Sequence, residues 1–205
     1  MRAVGLVAEY NPFHNRHSYH LQTAKQVSGA EAVVVVMSGN FTQRGEPALF
    51  DKWQRANQAL AGGADLVVEL PIFYAVQPGT HFAAGALRLL AALGVDEVVF
   101  GAEHPEWDFA RLVTAEDDFQ RQGFKDFRAT YATQFNQALA EKTGVSLVDP
   151  NDILAFSYYK AARDLKMPLK LRPIQRRGAD YHDQTISGEI ASASAIRQAA
   201  LAGED

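Results

Sequence analysis

The chain has 205 residues, 47% of them hydrophobic, a formal net charge of -4 and no cysteine. That is enough apolar material for one sizeable core, so a single globular domain is expected. The missing cysteines exclude disulfides, thiolate zinc sites and Cys nucleophiles, and the slight negative charge gives no general attraction to nucleic acid or an anionic membrane, so any RNA contact must be local.

Short Val-rich runs recur along the first half: "AVGLVA" at 3–8, "AVVVVM" at 32–37, "DLVVEL" at 65–70 and "VDEVVF" at 95–100. Nearly unbroken apolar runs of this length suit strands covered on both faces, as in parallel sheets. Helices are predicted between them at 18–28, Asp51 to Gly63 and Thr80 to Gly94, the last closed by Gly94. Alternating strands and helices predict an α/β, doubly wound, mostly parallel Rossmann-like sheet. From about 105 to 165 the chain turns helical: two polar, aromatic-punctuated helices broken near Gly123, then one from Asn151 capped by Asn151 or Asp152. "MPLKLRPIQRR" resumes strand-like alternation, and Ser192 or Ser194 opens a last short helix. No segment supplies the roughly 18 apolar residues of a membrane span, so the expectation is a soluble cytoplasmic protein with no membrane association.

Open parallel sheets bind ligands beyond the carboxyl ends of their strands. "EYNPFHNRHSYHL" (9–21), "MSGNF", "ELPIF" and "FGAEH" all fall on that rim. Neither a GxGxxG fingerprint nor a P-loop is present. His14 and His17, three apart where a strand turns into a helix, can direct two imidazole N–H groups at one phosphate oxygen beside a helix N-terminus. His20 lies a further three along. The spacing by itself leaves three readings open: a nucleotide site, a metal site, or structural histidines. No carboxylate stands ready as a third metal ligand, and no metal-ligating residue is assigned.

"GLVAEYNPFHNRHSYHL" resembles the signature of HxGH-type nucleotidyltransferases, most closely the bacterial tRNA(Met) cytidine acetate ligase family. The likeness continues through "MSGNFTQRGEPALFDKWQRANQALAGGADLVVELP", "FAAGALRLLAALGVDEVVFGAE", "NDILAFSYYKA" and "IQRRGADYHD". It implies an adenylate-forming ligase that uses ATP, with Mg²⁺, to convert acetate to acetyl-adenylate and then acetylates N4 of the wobble cytidine of elongator tRNA(Met). The resemblance implies that Val7, Ala8, Glu9, Tyr10, Asn11, Pro12, Phe13, His14, His17 and His20 bind ATP, together with Gly101, Asn151, Arg176 and Arg177, and that His14 and His17 are catalytic. Arg16 departs from the family, which has glycine there; it either crowds the nucleotide or brings charge to the phosphates. The family also carries a further C-terminal region, so the expectation is one nucleotide-binding catalytic domain over 1–205 without it.

The remaining positions have readings of their own. Ser194 and Arg197 can surround terminal phosphates through a hydroxyl, helix amides and a guanidinium, or be a cap and a solvent arginine. Arg44, on the rim loop after the second strand, suits phosphate, acetate or RNA, or pairs with Glu46. Gly101 is expected directly after a strand, where the missing side chain admits a ligand. Asp65 and Glu69 read as strand-end structure. His81, His104 and His182 are placed only in their loops. Seven basic residues against one acid from Lys160 to Arg177 make Lys170 and Arg172 candidates for RNA, whereas Asp96 to Asp118 holds eight acids and one base. The alternatives are a nucleotidyltransferase for another small acceptor, or a nucleotide- or RNA-binding protein impaired by Arg16.

Overall fold

The computed structural model describes residues 1–122, 130–176 and 196–198. Five strands, β1 (Ala3–Ala8), β2 (Ala32–Ser38), β3 (Leu66–Leu70), β4 (Glu97–Ala102) and β5 (Lys170–Gln175), form one sheet in the order β3-β2-β1-β4-β5. Every pairing is parallel, with Ala3 opposite Ala32 and Glu97 opposite Lys170. Helices α1 (Asn15–Ser28) and α2 (Lys52–Ala61) bring Leu21, Ala24 and Ala59 onto Val4, Leu6, Val33, Val35 and Val99. The opposite face, with Val34, Val36, Val98 and Phe100, is covered by α4 (Gly79–Ala92) and α7 (Pro150–Asp164). A period of two sends alternate side chains of each strand to opposite faces, and both faces of β2 are dry, so it is apolar from Ala32 to Met37 and polar only at its last residue, Ser38. Burying a side chain such as Leu90 contributes about 1.5–3 kcal/mol. The architecture is the Rossmann-like sheet that the alternating pattern predicts, and strand order reverses between β1 and β4.

Several boundaries differ from the sequence-based expectation. Helix α1 starts at Asn15 rather than 18, because His14 is its N-cap. Strand β4 sits two residues later than 95–100, since Gly101 and Ala102 continue to pair with Ile174 and Gln175; Gly101 therefore lies inside the strand, not after it. Leu93 closes α4, and Gly94 follows it. Asp149, not Asn151 or Asp152, is the N-cap of α7. The insertion between β4 and β5 contains α5 (Phe109–Gln122) and α6 (Tyr131–Thr143) before α7. Residues 196–198 are helical; the proposed caps Ser192 and Ser194 fall outside the described residues.

A short helix, α3 (Ile72–Ala75), lies against α4 through a close approach at Gly85. A Cβ there would stand 2.2 Å from Cγ of Tyr74. Gly85→Ala is therefore expected to destabilise the fold by about 1–3 kcal/mol through overpacking, despite alanine's better helix propensity. Urea unfolding reads the change, and a more stable variant would contradict the tight contact.

The basic and acidic segments are not two separate surfaces. Lys160 pairs with Glu116, Arg163 with Asp117, Arg176 with Glu103, and both Lys170 and Arg172 with Glu97. Parallel pairing of β4 with β5 and packing of α5 on α7 bring the opposite charges together. Lys170 and Arg172 join Arg2 around the buried Glu97, at the strand-start end of the sheet. That is the edge away from the carboxyl-end loops. Among the described residues, no helix is long and apolar enough to cross a membrane.

Candidate functional site

The chain leaves β1 through Val7 and Ala8 into a loop held on several sides. Tyr10 is buried at 2% exposure with a left-handed φ of 49°, and the Asn11–Pro12 peptide is cis. Glu9 Oε1 accepts the Gln43 amide at 2.6 Å, and Asn11 Oδ1 accepts the Leu49 amide at 2.8 Å. Arg197 donates to the Asn11 carbonyl at 2.7 Å, which brings residues 196–198 to the same loop. Tying this loop to the segment after β2 fixes where α1 begins.

His14 and His17 stack with ring centroids 3.9 Å apart, and Tyr10 meets both Phe13 and His17 edge-on. The backbone N–H of His14 donates to Nδ1 of His17 at 3.2 Å. An accepting Nδ1 places the proton of the neutral His17 ring on Nε2, which becomes a donor of fixed tautomer. The reciprocal half of this capping arrangement does not reach hydrogen-bond geometry, and Nδ1 of His14 is buried without a partner among the described residues. His20 hydrogen-bonds the Val99 backbone, and its Nε2 is likewise buried and unpartnered.

Burial, and then the charges of Arg16 and Arg176, lower the His14 pKa to about 4. Burial and the neighbouring rings and arginines hold His17 well below the usual histidine range. His20 is lowered to about 4, chiefly by burial, against an opposing effect of its bond to Val99. All three rings are neutral at pH 7, and the positive charge at the helix start belongs to arginines. Arg16, the second residue of α1, has an ordinary negative φ, so the backbone does not require glycine at this position.

On the other side of the switch point, the stem of Arg176 lies over Gly101, where a Cβ would be 2.8 Å from Cγ. Arg176 Nη1 donates to Glu103 Oε1 at 2.7 Å, and so does Asn151 Nδ2. Asp152, fully buried, accepts the Glu103 and His104 amides through Oδ1 and lies 2.6 Å from His104 Nδ1 through Oδ2. His104 stacks on Trp107, and its pKa is raised, first by the hydrogen bond to Asp152. One donor atom each from His104, Asp149 and Asp152 lies within 4.8 Å of the others. This set does not fit a resident magnesium, which asks for near-octahedral oxygen ligands, because Nδ1 of His104 is already engaged with Asp152.

The fold thus gathers Glu9 to Phe13, His14, His17, His20, Gly101, Asn151, Arg176 and Arg197 around the ends of β1 and β4. Arg44 lies on the exposed turn after Gln43, and His81 is exposed on α4. Arg177, His182 and Ser194 fall outside the described residues. Sequence reasoning missed Arg55, Glu103 and Asp152. Arg55 left one signal: it sits four residues before Ala59, on the buried side of α2.

A family model described as HIGH nucleotidyl transferase matches residues 1–205. The chain belongs to that family. Among its similar proteins are the tRNA(Met) cytidine acetate ligase of Limosilactobacillus reuteri, 65% identical over 97% of this chain and 53% of the relative, and that of Limosilactobacillus fermentum, 58% identical over 100% and 55%. Crystal structures of Thermotoga maritima TmcAL superpose with a TM-score of 0.88 for an apo form (35% identity, 100% of this chain, 52% of the other). A form bound with alpha-thio ATP gives 0.82 (34% identity, 98% and 51%). The chain spans about half the length of the curated relatives it matches.

The lowered histidines have a consequence for stability. An unfolded chain protonates such rings near pH 6.5, whereas in the folded chain His14 and His20 do so only near 4 and His17 well below 6.5. Between those values the unfolded state binds more protons, so stability falls as the pH drops. His104 has the opposite sign: its contribution is present below pH 6.5 and is lost as the pH rises through its raised pKa. Three rings outweigh one. The urea midpoint should decline from pH 6.5 to 4.5, less steeply in His20→Asn, and a flat wild-type profile would refute neutral buried rings.

Proposed function

We propose that this chain binds ATP across the β1/β4 switch point and activates acetate as acetyl-adenylate, for transfer of the acetyl group to N4 of the wobble cytidine of elongator tRNA(Met). The observation that carries the reading is the neutral His14–His17 pair at the start of α1, flanked by Arg16 and Arg176. The names of the curated relatives and the nucleotide in the Thermotoga structure supply the substrates.

A carboxylate oxygen of acetate attacks the α-phosphorus, the bond to the bridging oxygen of the β-phosphate breaks, and pyrophosphate leaves. Acetate is already ionised, so the protein needs to provide neither base nor nucleophile. Its work is to hold the groups in line and stabilise charge as it grows on phosphate oxygens. Nε2–H of His17 suits that task, since its tautomer is set before substrate arrives. Gly101, Asn151 and Arg176 fit a nucleotide lying over the end of β4, and Arg177 is assigned with them from the family resemblance. Bound to the triphosphate, Mg²⁺ would offset part of its negative charge. In the second step the cytidine N4 attacks the acetyl carbonyl, AMP leaves, and the nitrogen gives up one proton.

Arg16 favours this reading over an impaired binding protein. It occupies the helix without backbone strain, and its charge lies at the histidine pair. Lys170 and Arg172 are assigned to Glu97 and the sheet edge rather than to tRNA. The test is incubation with ATP and labelled acetate, with and without tRNA(Met). Acetate-dependent exchange of pyrophosphate into ATP reports the first step, and acetylcytidine in digested tRNA the second. A stable adenylyl product on another acceptor would replace this function with the simpler transferase.

A further inference from the structure

Two buried hydroxyls stand outside the machinery described so far. Ser38 (1% exposed) closes β2, and Thr42 (6%) lies four residues on; neither Oγ of Ser38 nor Oγ1 of Thr42 has a hydrogen-bond partner among the described residues. Strand alternation sends Ser38 to the same side as Val34 and Val36. It lies one step beyond the Ala8–Met37 pair, which puts it beside Glu9. Thr42 precedes Gln43, whose amide donates to Glu9 Oε1, so its turn also runs past the exit of β1.

The turn carrying these hydroxyls is built firmly. Thr42 donates its amide to the Glu46 carbonyl, Ala48 donates to Asn40, and Phe41 bridges Pro47. Beneath it runs Arg55, 1% exposed, whose guanidinium donates to the carbonyls of Glu9, Ser38, Gly39 and Phe50. No carboxylate forms an ion pair with it among the described residues. That positive charge, held by neutral carbonyls at the end of β2, lies among the carboxylates of Glu9, Asp51 and Glu69, and Glu69 Oε1 comes within 2.3 Å of where a Cβ on Gly39 would stand.

Leaving two buried hydroxyls unbonded, one at the end of a strand and one in the turn that follows it, is unfavourable unless something completes them. Ordinary hydroxyls rotate to meet any acceptor in reach, and these two do not meet Glu9. A small carboxylate is acceptor-only and offers two oxygens, one to each hydroxyl. We propose that Ser38 and Thr42 form the subsite for the small monocarboxylate, acetate, holding its oxygens at the end of β2 next to the phosphate cradle at the end of β1. This rests on the acetate-activating reading above. It also gives the rim loop "SGNFTQRGEP" a role that the nucleotide does not require.

Binding is measured directly, by saturation-transfer NMR on acetate in the presence of a non-hydrolysable ATP analogue, on the 205-residue chain. Ser38→Ala removes one donor, and Thr42→Val removes the other while keeping side-chain shape. A lost hydrogen bond to a charged ligand weakens binding by about tenfold or more, so one or both variants should raise the acetate Kd by that factor and leave the Kd of the ATP analogue within about twofold. Acetate affinity unchanged in both variants overturns the subsite, as does parallel loss of acetate and nucleotide binding or absence of acetate binding to wild type. Wild type that binds acetate at these hydroxyls without catalysing pyrophosphate exchange would overturn the acetate-activating function and leave the subsite standing.

Discussion

Replacing His17 with alanine is expected to slow acetate-dependent pyrophosphate exchange by about a hundredfold to a thousandfold while ATP affinity changes only a few-fold. That is the usual effect of removing one preorganised donor from developing charge, about 2.7–4 kcal/mol of transition-state stabilisation. His17 qualifies because Nδ1 is committed to the His14 amide and Nε2 must then carry the proton of the neutral ring. Alanine also removes packing against Tyr10 and Phe13, so a second substitution separates donor from filler. His17→Asn places an amide oxygen near the position of Nδ1 and can keep the helix cap, but does not reach as far as Nε2. Loss of rate in both variants, with melting temperature largely retained in the asparagine one, identifies the donor as the source. Exchange that survives both substitutions would reduce the ring to a capping and packing element.

The largest effect on stability is expected at Arg55. Its fork joins the exit of β1 to the exit of β2 through four backbone carbonyls, with the bonds to Ser38 and Gly39 buried and those to Glu9 and Phe50 partly so. Arg55→Leu fills similar space but leaves those acceptors unbonded, each at a cost of about 1–3 kcal/mol before relaxation or water entry. A net loss of about 3–5 kcal/mol follows, a large part of the 5–15 kcal/mol by which domains are stable. Arg55→Lys should recover only part of it, because a point charge on a flexible stem cannot span the fork. Urea unfolding followed by circular dichroism measures both. A leucine variant within about 1 kcal/mol of wild type would show that the carbonyls find other partners and that the two loops do not depend on this side chain.

Sequence alone determined the parallel sheet, because unbroken apolar runs leave no polar face for water and alternating helices leave few other ways to cover both sides. It also pointed to the strand ends as the place for a ligand, since "EYNPFHNRH" follows a strand and carries two histidines at a helix start. Boundaries were less legible: β4 runs on through Gly101 because β5 is there to pair with it, and α1 starts early because the His17 ring accepts the His14 amide. Charge was the least legible. The basic run from Lys160 to Arg177 has the composition of an RNA-binding stripe, yet parallel pairing of β4 with β5 and packing of α5 on α7 set much of it against the acids of 96–118. Arg55 and Asp152 likewise look like ordinary helix charges in the sequence. Only the tertiary structure buries them under loop carbonyls and amides, because an ion's partners are chosen by distance in space, and sequence spacing records distance only within one element.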